Sequence, residues 1–241
     1  MKISSIAQPY ISGAKFSDGF FFDIKQDKVY DRLEVLDKMV AGKSVLHVGC
    51  VDHPLSSERL RSDRWLHGRL TQKASRCLGI DVNREGLEFM SRELGVKNTC
   101  YADLTDPNLV AAIQDYEWEY VIFGEILEHI DNPVDFLSKF LANYGNRCKN
   151  IVLTVPNAFR AGNFTSALKG KEFINTDHKY WFSPFTIAKV VHQSGLIVDE
   201  IYLCKFSESS GFKAWIRNSI LNRYPLLSED VLLIAHVPSL T

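Results

Sequence analysis

The feature that most limits how this chain can fold is a regular alternation of short apolar runs with amphipathic stretches. Five runs of four or five residues, rich in β-branched side chains and each followed by a turn signal, occur at 44–48, 77–80, 99–102, 120–123 and 151–155. Runs this short are typical of buried strands. Stretches of helical length separate them, at 55–70, 85–94, 108–116 and 134–144. The pattern predicts a parallel sheet covered on both faces, in a doubly wound α/β fold with right-handed crossovers.

The regular alternation of apolar runs and helical stretches ends after the fifth run. A polar insertion at 157–180 precedes a predicted helix at 184–194, for which Ser183 is the expected N-cap, Pro184 the first residue and Gly195 the stop. Two further strands are predicted at 197–206 and 231–236, and a helix at about 28–40. We expect one domain over 1–241, divided into an N-terminal lid and helix (1–40), a core (41–206), an insertion (207–229) and a final strand (230–241).

Charge and cysteine content restrict the partners. The chain has 28 Lys plus Arg against 29 Asp plus Glu, a net charge of −1, so it lacks the basic excess that duplex-binding proteins usually carry. Nucleic acid is therefore an unlikely partner. The five cysteines form no Cys-x-x-Cys pair and are expected to be reduced thiols. With no signal-peptide pattern and no transmembrane segment expected, we predict a cytoplasmic protein whose oligomeric state stays open.

Three positions at predicted strand ends point to a nucleoside. Gly49 lies in the loop 45–54 after the first strand, where it allows a tight turn and close approach of a ligand, and Pro54 can begin the next helix. Asp81 ends the second strand, where an acid can accept hydrogen bonds from a ribose diol. Asp103 ends the third and suits an amino group such as that of adenine. A dinucleotide such as NAD is less favoured, because the three-glycine fingerprint is absent.

Together with the run Phe-Gly-Glu-Ile-Leu-Glu-His at 123–129 and Val-Pro-Asn at 155–157, these features resemble the class I S-adenosylmethionine-dependent methyltransferases over roughly residues 40–200. The resemblance implies a Rossmann-like seven-stranded sheet that is mostly parallel with an antiparallel last strand. It also implies S-adenosylmethionine as cofactor. The cofactor-binding residues would be His47, Gly49, Cys50, Asp52, Asp81, Val82, Asp103, Leu104 and Gly124.

The loop departs from that family in three places. His47 stands where an acid is usual, and Val51 and His53 stand where glycines are usual. Side chains at the glycine positions restrict how closely the backbone can approach the methionine half of the cofactor. Asp52 could supply a displaced carboxylate. A related fold that binds the cofactor poorly therefore stays an alternative.

A group of acids and histidines follows the fourth strand. Glu125, Glu128 and His129, with His178 before a Phe-Ser-Pro helix start, resemble two branches of the family: the metal-dependent O-methyltransferases of ubiquinone biosynthesis and the 2′-O-methyltransferases of small-RNA termini. That resemblance implies that all four ligate a divalent ion such as Mg²⁺, Mn²⁺, Fe²⁺ or Zn²⁺. Two alternatives stay open. His129 or His178 could be a metal-free general base, with Glu125 also a catalytic candidate, or residues 125–131 could be a structural turn before the cap Asn132.

The resulting expectation is methyl transfer to a hydroxyl of a small molecule, with a sugar or glycan unit favoured. The alternatives are a phenol or quinone precursor, an RNA terminus, or a non-catalytic binding module. Trp65-Leu66-His67 is expected to pack rather than to have a functional role. The apolar positions of 212–224 are expected to pack on the protein's own sheet, with docking on a partner subunit or contact with a membrane surface as alternatives.

Overall fold

The computed structural model describes residues 1–52, 64–206 and 211–238, and its strands form a single sheet. The strands are β1 (Tyr30–Asp31), β2 (Ser44–Val48), β3 (Arg76–Asp81), β4 (Thr99–Tyr101), β5 (Trp118–Gly124), β6 (Cys148–Pro156), β7 (Ile197–Lys205) and β8 (Asp230–His236). Their order is β1-β7-β8-β6-β5-β2-β3-β4. Strand β8 is antiparallel to both of its neighbours, and every other pair is parallel.

The helices lie mainly between the strands. They are α1 (Gln8–Ile11), α2 (Arg32–Val40), α3 (Leu66–Lys73), α4 (Arg84–Leu94), α5 (Ala111–Gln114), α6 (Pro133–Tyr144), α7 (Ala161–Ala167), α8 (Pro184–Gln193) and α9 (Phe212–Arg223). Short 3-10 turns occur at Leu127–His129, Gly145–Arg147 and Pro225–Leu227. Within the described ranges, no helix combines the length and the apolar character needed to cross a bilayer.

Both faces of the sheet are covered, which explains why its strands read as continuous apolar runs. In β5, Val121 and Phe123 belong to the large core with the buried residues of α6 and α8, whereas Ile122 between them packs with those of α2 and α3 on the opposite face. Alternate residues of a strand point to opposite faces, so a strand buried on both sides has no polar alternation. The predicted α/β class and the antiparallel last strand are confirmed.

The structure has one more strand than the seven predicted, and this strand shifts a helix start. Residues Tyr30 and Asp31 pair with β7 as β1, so α2 begins at Arg32 rather than near residue 28. The Asp31 side chain caps α2 by accepting hydrogen bonds from the N–H groups of Leu33 and Glu34. Asp31 is both the last residue of β1 and the N-cap of α2. The sequence pattern therefore did not separate the strand from the helix that follows it.

Other helix predictions hold to different degrees. The helix α8 has the predicted Ser183 cap, within a capping box, and Gly195 follows it in a left-handed conformation with φ 101°. The predicted helix 108–116 is reduced to the four residues of α5. Residues 53–63, which include His53, Pro54 and the first part of the predicted helix at 55–70, lie outside the described residues, and α3 covers Leu66–Lys73. Helices α7 and α9 lie in the two predicted insertions, and residues 207–210 of the second insertion also lie outside the described part.

Candidate cofactor and acceptor site

A cavity of about 930 Å³ lies at the carboxyl ends of β2, β3, β4 and β5. This is where open α/β sheets bind ligands. All the site residues predicted from the sequence line it: His47, Gly49, Cys50, Asp52, Asp81, Val82, Asp103, Leu104, Gly124, Glu125, Glu128, His129 and His178. The parallel strands therefore bring the predicted cofactor residues and the acid–histidine group to one cavity.

Gly49 makes the turn off β2 with φ 72°, a conformation that side chains disfavour. Its N–H donates to the carbonyl of Ile80, 2.8 Å away. A Cβ placed on Gly49 would lie 2.5 Å from Cδ1 of Ile126. Both backbone conformation and space therefore require glycine here.

The carboxylate of Asp81 is partly used by the protein itself. Its Oδ2 accepts a hydrogen bond from the N–H of Val51, and its Oδ1 accepts one from the N–H of Asn83, both at 2.9 Å. Each carboxylate oxygen has two acceptor sites, so both can still accept from ribose hydroxyls. Asp81 thus fixes the loop after β2 and retains acceptor capacity toward the cavity.

Asp103 is exposed at the end of β4. Its Oδ1 accepts hydrogen bonds from the N–H and the hydroxyl of Thr105, at 2.9 and 2.7 Å. These two bonds fix the orientation of the carboxylate, which leaves Oδ2 for a donor in the cavity. This geometry suits a carboxylate that accepts a hydrogen bond from a ligand amino group.

The unusual side chains of the loop have partners in the structure. Val51 lies against Gly86 of α4, where an added Cβ would come within 2.4 Å of its Cγ1. Val51 also belongs to a small buried cluster with Trp65, Leu87 and Met90. The absence of a side chain at position 86 therefore makes room for the side chain of Val51.

His47 pairs with a second histidine. Its Nδ1 lies 3.2 Å from Nδ1 of His67, the rings are nearly parallel, and both residues are buried. Burial lowers the pKa of His67 to about 4, and burial followed by repulsion from His67 and Arg32 lowers the pKa of His47 well below its ordinary value. Both rings are thus neutral near pH 7, and one Nδ1–H donates to the other Nδ1. The stretch containing His67, expected only to pack, supplies this partner.

A buried ion-pair network flanks the other side of the cavity. Nη1 of Arg32 lies 3.1 Å from Glu125 Oε1 and 3.3 Å from Asp230 Oδ2. Burial, followed by the proximity of Glu125, raises the pKa of Asp230 well above its ordinary value. Glu125 itself has φ 58°, the one non-glycine residue with positive φ among those described, so the chain turns sharply where β5 ends.

Glu128 is buried without compensation. Its side chain is 0% exposed, and neither carboxylate oxygen has a hydrogen-bond partner among the described residues. Burial raises its pKa to about 9, with a further contribution from Glu125. A buried acid without partners is costly unless it holds a proton or binds a cation.

Two imidazoles complete this part of the cavity. Ligand atoms of Glu128, His129 and His178 lie within 4.8 Å of one another, and the two rings are 4.7 Å apart. His129 Nδ1 lies 3.2 Å from the carbonyl oxygen of Asp177, to which an Nδ1–H would donate, and His178 Nδ1 has no partner in the described part. Burial and the proximity of His129 lower the pKa of His178. Of the four predicted ligands the structure groups three, while Glu125 pairs with Arg32.

The insertion before α8 is fastened to this cluster. The N–H of Lys179 donates to the carbonyl of Glu128 at 2.7 Å, and the hydroxyl of Tyr180 donates to the carbonyl of Asp131 at 2.6 Å. These bonds place His178 opposite His129 although 49 residues separate them in sequence.

One carboxylate and two imidazoles are a donor set that suits a divalent transition ion, and the unsatisfied Glu128 oxygens and His178 Nδ1 fit such an ion. The two strand-end acids likewise fit a nucleoside cofactor, because the carboxylates of Asp81 and Asp103 both retain sites that can accept hydrogen bonds. Sequence reasoning missed Arg32 and Asp230. No motif marks them: α2 brings Arg32 to the cavity, and β8 places the fully buried Asp230 beside Arg32.

The fold has known counterparts. The small RNA methyltransferase HEN1 matches with a TM-score of 0.56 and 14% identity, over 92% of this chain and 27% of that one. The methyltransferase domain of bacterial CtHen1-C matches with a TM-score of 0.53 and 16% identity, over 87% of this chain and 98% of that one. An S-adenosylmethionine-dependent methyltransferase from Clostridium acetobutylicum ATCC 824 matches with a TM-score of 0.51 and 11% identity, over 86% of this chain and 88% of that one.

The chain has the S-adenosylmethionine-dependent methyltransferase fold. At identities of 11–16% the likeness establishes the fold alone. A scan against protein-family models and a search of curated proteins both gave no match.

Proposed function

We propose that the protein is an S-adenosylmethionine-dependent O-methyltransferase that acts on a hydroxyl of a small molecule, a sugar or glycan unit. The observation that carries this proposal is the shared cavity. It has acids at the ends of two adjacent strands on one side and the unsatisfied cluster of Glu128, His129 and His178 on the other.

The cofactor side follows from the strand ends. S-adenosylmethionine supplies an activated methyl group when bound. Asp81 would accept hydrogen bonds from the ribose hydroxyls, Asp103 would accept one from the adenine amino group, and the glycine turn at Gly49 would let the methionine portion approach the backbone. Gly124, at the end of β5, lines the same cavity.

The acceptor side must remove a proton, because a neutral hydroxyl is a poor nucleophile near pH 7. Glu128, His129 and His178 would hold a divalent ion, which lowers the pKa of a bound hydroxyl. Glu125 would be a fourth ligand if it leaves Arg32. The protein's own contribution is a fixed base: donation from Nδ1 of His129 to the Asp177 carbonyl leaves its Nε2 unprotonated in the neutral ring.

The glycan preference is supported by the polar side of the cavity. Asn175, Asp177 and His178 line it on the insertion, and these side chains can hydrogen-bond a polyhydroxylated acceptor. An RNA terminus is the second candidate, because two of the fold counterparts are the small RNA methyltransferase HEN1 and the CtHen1-C domain. The chain's net charge of −1 disfavours it.

A methyl-transfer assay with labelled S-adenosylmethionine tests the proposal. We expect transfer to members of a sugar and glycan panel, loss of transfer in His178→Ala, and little change in His192→Ala, a histidine of α8 outside the cavity. Transfer only to single-stranded RNA or only to phenols would refute the glycan assignment. If a divalent ion is held, EDTA abolishes transfer and Mn²⁺ or Zn²⁺ restores it; full activity in EDTA would leave His129 as a metal-free base.

A further inference from the structure

Exposed apolar side chains are concentrated in two segments. Nineteen large hydrophobic residues are exposed among those described, and eleven of them lie in the insertion before α8 or on and just after α9. Six are in the insertion, at 159, 164, 168, 173, 174 and 180, and five are at 212, 215, 216, 220 and 224. Single exposed apolar residues are ordinary, whereas a concentration of them marks an interaction surface.

Helix α9 presents most of its apolar side chains outward. Ala214 and Leu221 are its buried apolar residues, and they lie on one narrow side of the helix. Phe212, Trp215, Ile216 and Ile220 are exposed on the opposite half, with Trp215 65% exposed. The expectation that these residues pack on the protein's own sheet is therefore wrong.

The same segment is basic. Between residues 211 and 228 the sequence has Lys213, Arg217 and Arg223 and no acid, and residues 158–181 have four basic residues against two acids. The complete insertions, 157–180 and 207–229, also include Glu208 and Glu229 and together carry a charge of +3 in a chain whose net charge is −1; Arg217 pairs with Glu229. The charge is thus strongly uneven, and the partner that complements it is anionic.

Both segments are located at the cavity edge of the sheet. The side-chain amide of Asn157, where the insertion begins, donates to the carbonyls of Leu226 and Ser228 just after α9, at 2.8 Å in each case. Phe206, at the end of β7 before this region, lines the cavity. A partner bound along α9 would therefore be near the entrance for the acceptor.

We propose that α9 (Phe212–Arg223) binds the surface of an anionic lipid bilayer. Its apolar half would enter the boundary between headgroups and acyl chains, and the exposed Arg223 at its end would contact an anionic headgroup, whereas Arg217 pairs with Glu229. Two other occupants fit less well. A second copy of α9 would bring a helix charge of +3 against +3. Single-stranded nucleic acid could stack on the exposed aromatic rings, but it leaves the exposed aliphatic Ile216 and Ile220 of the same helix half in water, whereas acyl chains would bury them.

Vesicle sedimentation tests the proposal. The full chain should sediment with phosphatidylcholine–phosphatidylserine vesicles, much less with phosphatidylcholine alone, and should dissociate at high salt. The Trp215→Ser, Ile220→Ser double variant should lower the partition coefficient about ten-fold or more, and Arg223→Glu should do the same. Phe21→Ser, at a 94% exposed residue outside both segments, is the matched control and should leave partitioning unchanged.

Each variant should keep the thermal midpoint of the wild type, since the replaced side chains are exposed. Three results would overturn the proposal. The first is no sedimentation with anionic vesicles, and the second is equal loss in Phe21→Ser. The third is that the double variant instead abolishes a dimer seen by light scattering or the binding of a single-stranded RNA oligonucleotide, while vesicle binding is unaffected. The proposal does not depend on methyl transfer.

Discussion

Replacing Glu128 by Gln should stabilise the metal-free protein and reduce the pH dependence of its stability. Burial raises the pKa of Glu128 from an ordinary 4.5 to about 9. A group whose pKa is higher in the folded state contributes stability that is fully present below the unfolded pKa. That contribution is lost as the pH rises through the folded value. The wild type should therefore lose stability steadily between about pH 5 and pH 9.

The size of the effect follows from linkage. One such group lowers the free energy of unfolding by about 1.4 kcal/mol for each pH unit in that range. From about pH 5 to pH 8 the ideal loss is about 4 kcal/mol, and relaxation of the site reduces this to about 2–4 kcal/mol. Gln has nearly the same shape and cannot ionise. Burial and Glu125 raise the pKa of Asp230 more than Glu128 does, so most of the effect of Asp230 is common to both proteins.

Urea denaturation in EDTA, followed by tryptophan fluorescence at several pH values, measures this difference. Glu93→Gln is the matched control, because Glu93 is exposed on α4 and should follow the wild type. Added Mn²⁺ should stabilise the wild type and not the Glu128→Gln variant, if the cluster binds the ion. Parallel stability curves for wild type and Glu128→Gln would refute the argument that the acid is buried without compensation.

Three further substitutions test other parts of the site. Gly49→Ala should lower the free energy of unfolding by about 1–2 kcal/mol and weaken S-adenosylhomocysteine binding, since the added Cβ meets Ile126 at 2.5 Å; a melt and calorimetry check both effects. Arg32→Met should cost about 3 kcal/mol or more at neutral pH, because two carboxylates lose their shared partner, whereas exposed Lys38→Met should change little. Burial lowers the pKa of His67 to about 4, so its contribution to stability is present above about pH 6.5 and is lost as the pH falls towards 4. The free energy of unfolding of His67→Leu should therefore fall less steeply between about pH 6.5 and 4 than that of the wild type, which urea denaturation at several pH values measures.

The strands and helix caps could be predicted from the sequence because their signals are local. Ser183, Pro184 and Gly195 mark the ends of α8 by their own backbone and side-chain preferences. The shared cavity also followed, because the carboxyl ends of neighbouring parallel strands meet at one edge. Asp81 and Asp103 needed only the correct strand assignment to be brought there.

The remaining features depend on long-range packing. Asp230 reaches Arg32 because β8 runs antiparallel and therefore begins at the edge where the parallel strands end. Arg32 reaches the cavity because the two-residue strand β1 sets where α2 starts. The sequence also could not show that His67 would point inward to His47, or that Asp81 would hold the N–H of Val51. These contacts join segments for which no spacing rule exists.

Calorimetric titration with S-adenosylhomocysteine, comparing the wild type with Asp103→Ala, tests the central claim most directly. Asp115→Ala, an exposed acid after α5 and outside the cavity, is the control. We expect the wild type and the control to bind with equal affinity, and Asp103→Ala to bind about ten-fold or more weakly, because a hydrogen bond to a charged acceptor contributes about 1.5–3 kcal/mol. Absence of binding by the folded wild type, or undiminished affinity in Asp103→Ala, would contradict the claim that these strand ends hold a nucleoside.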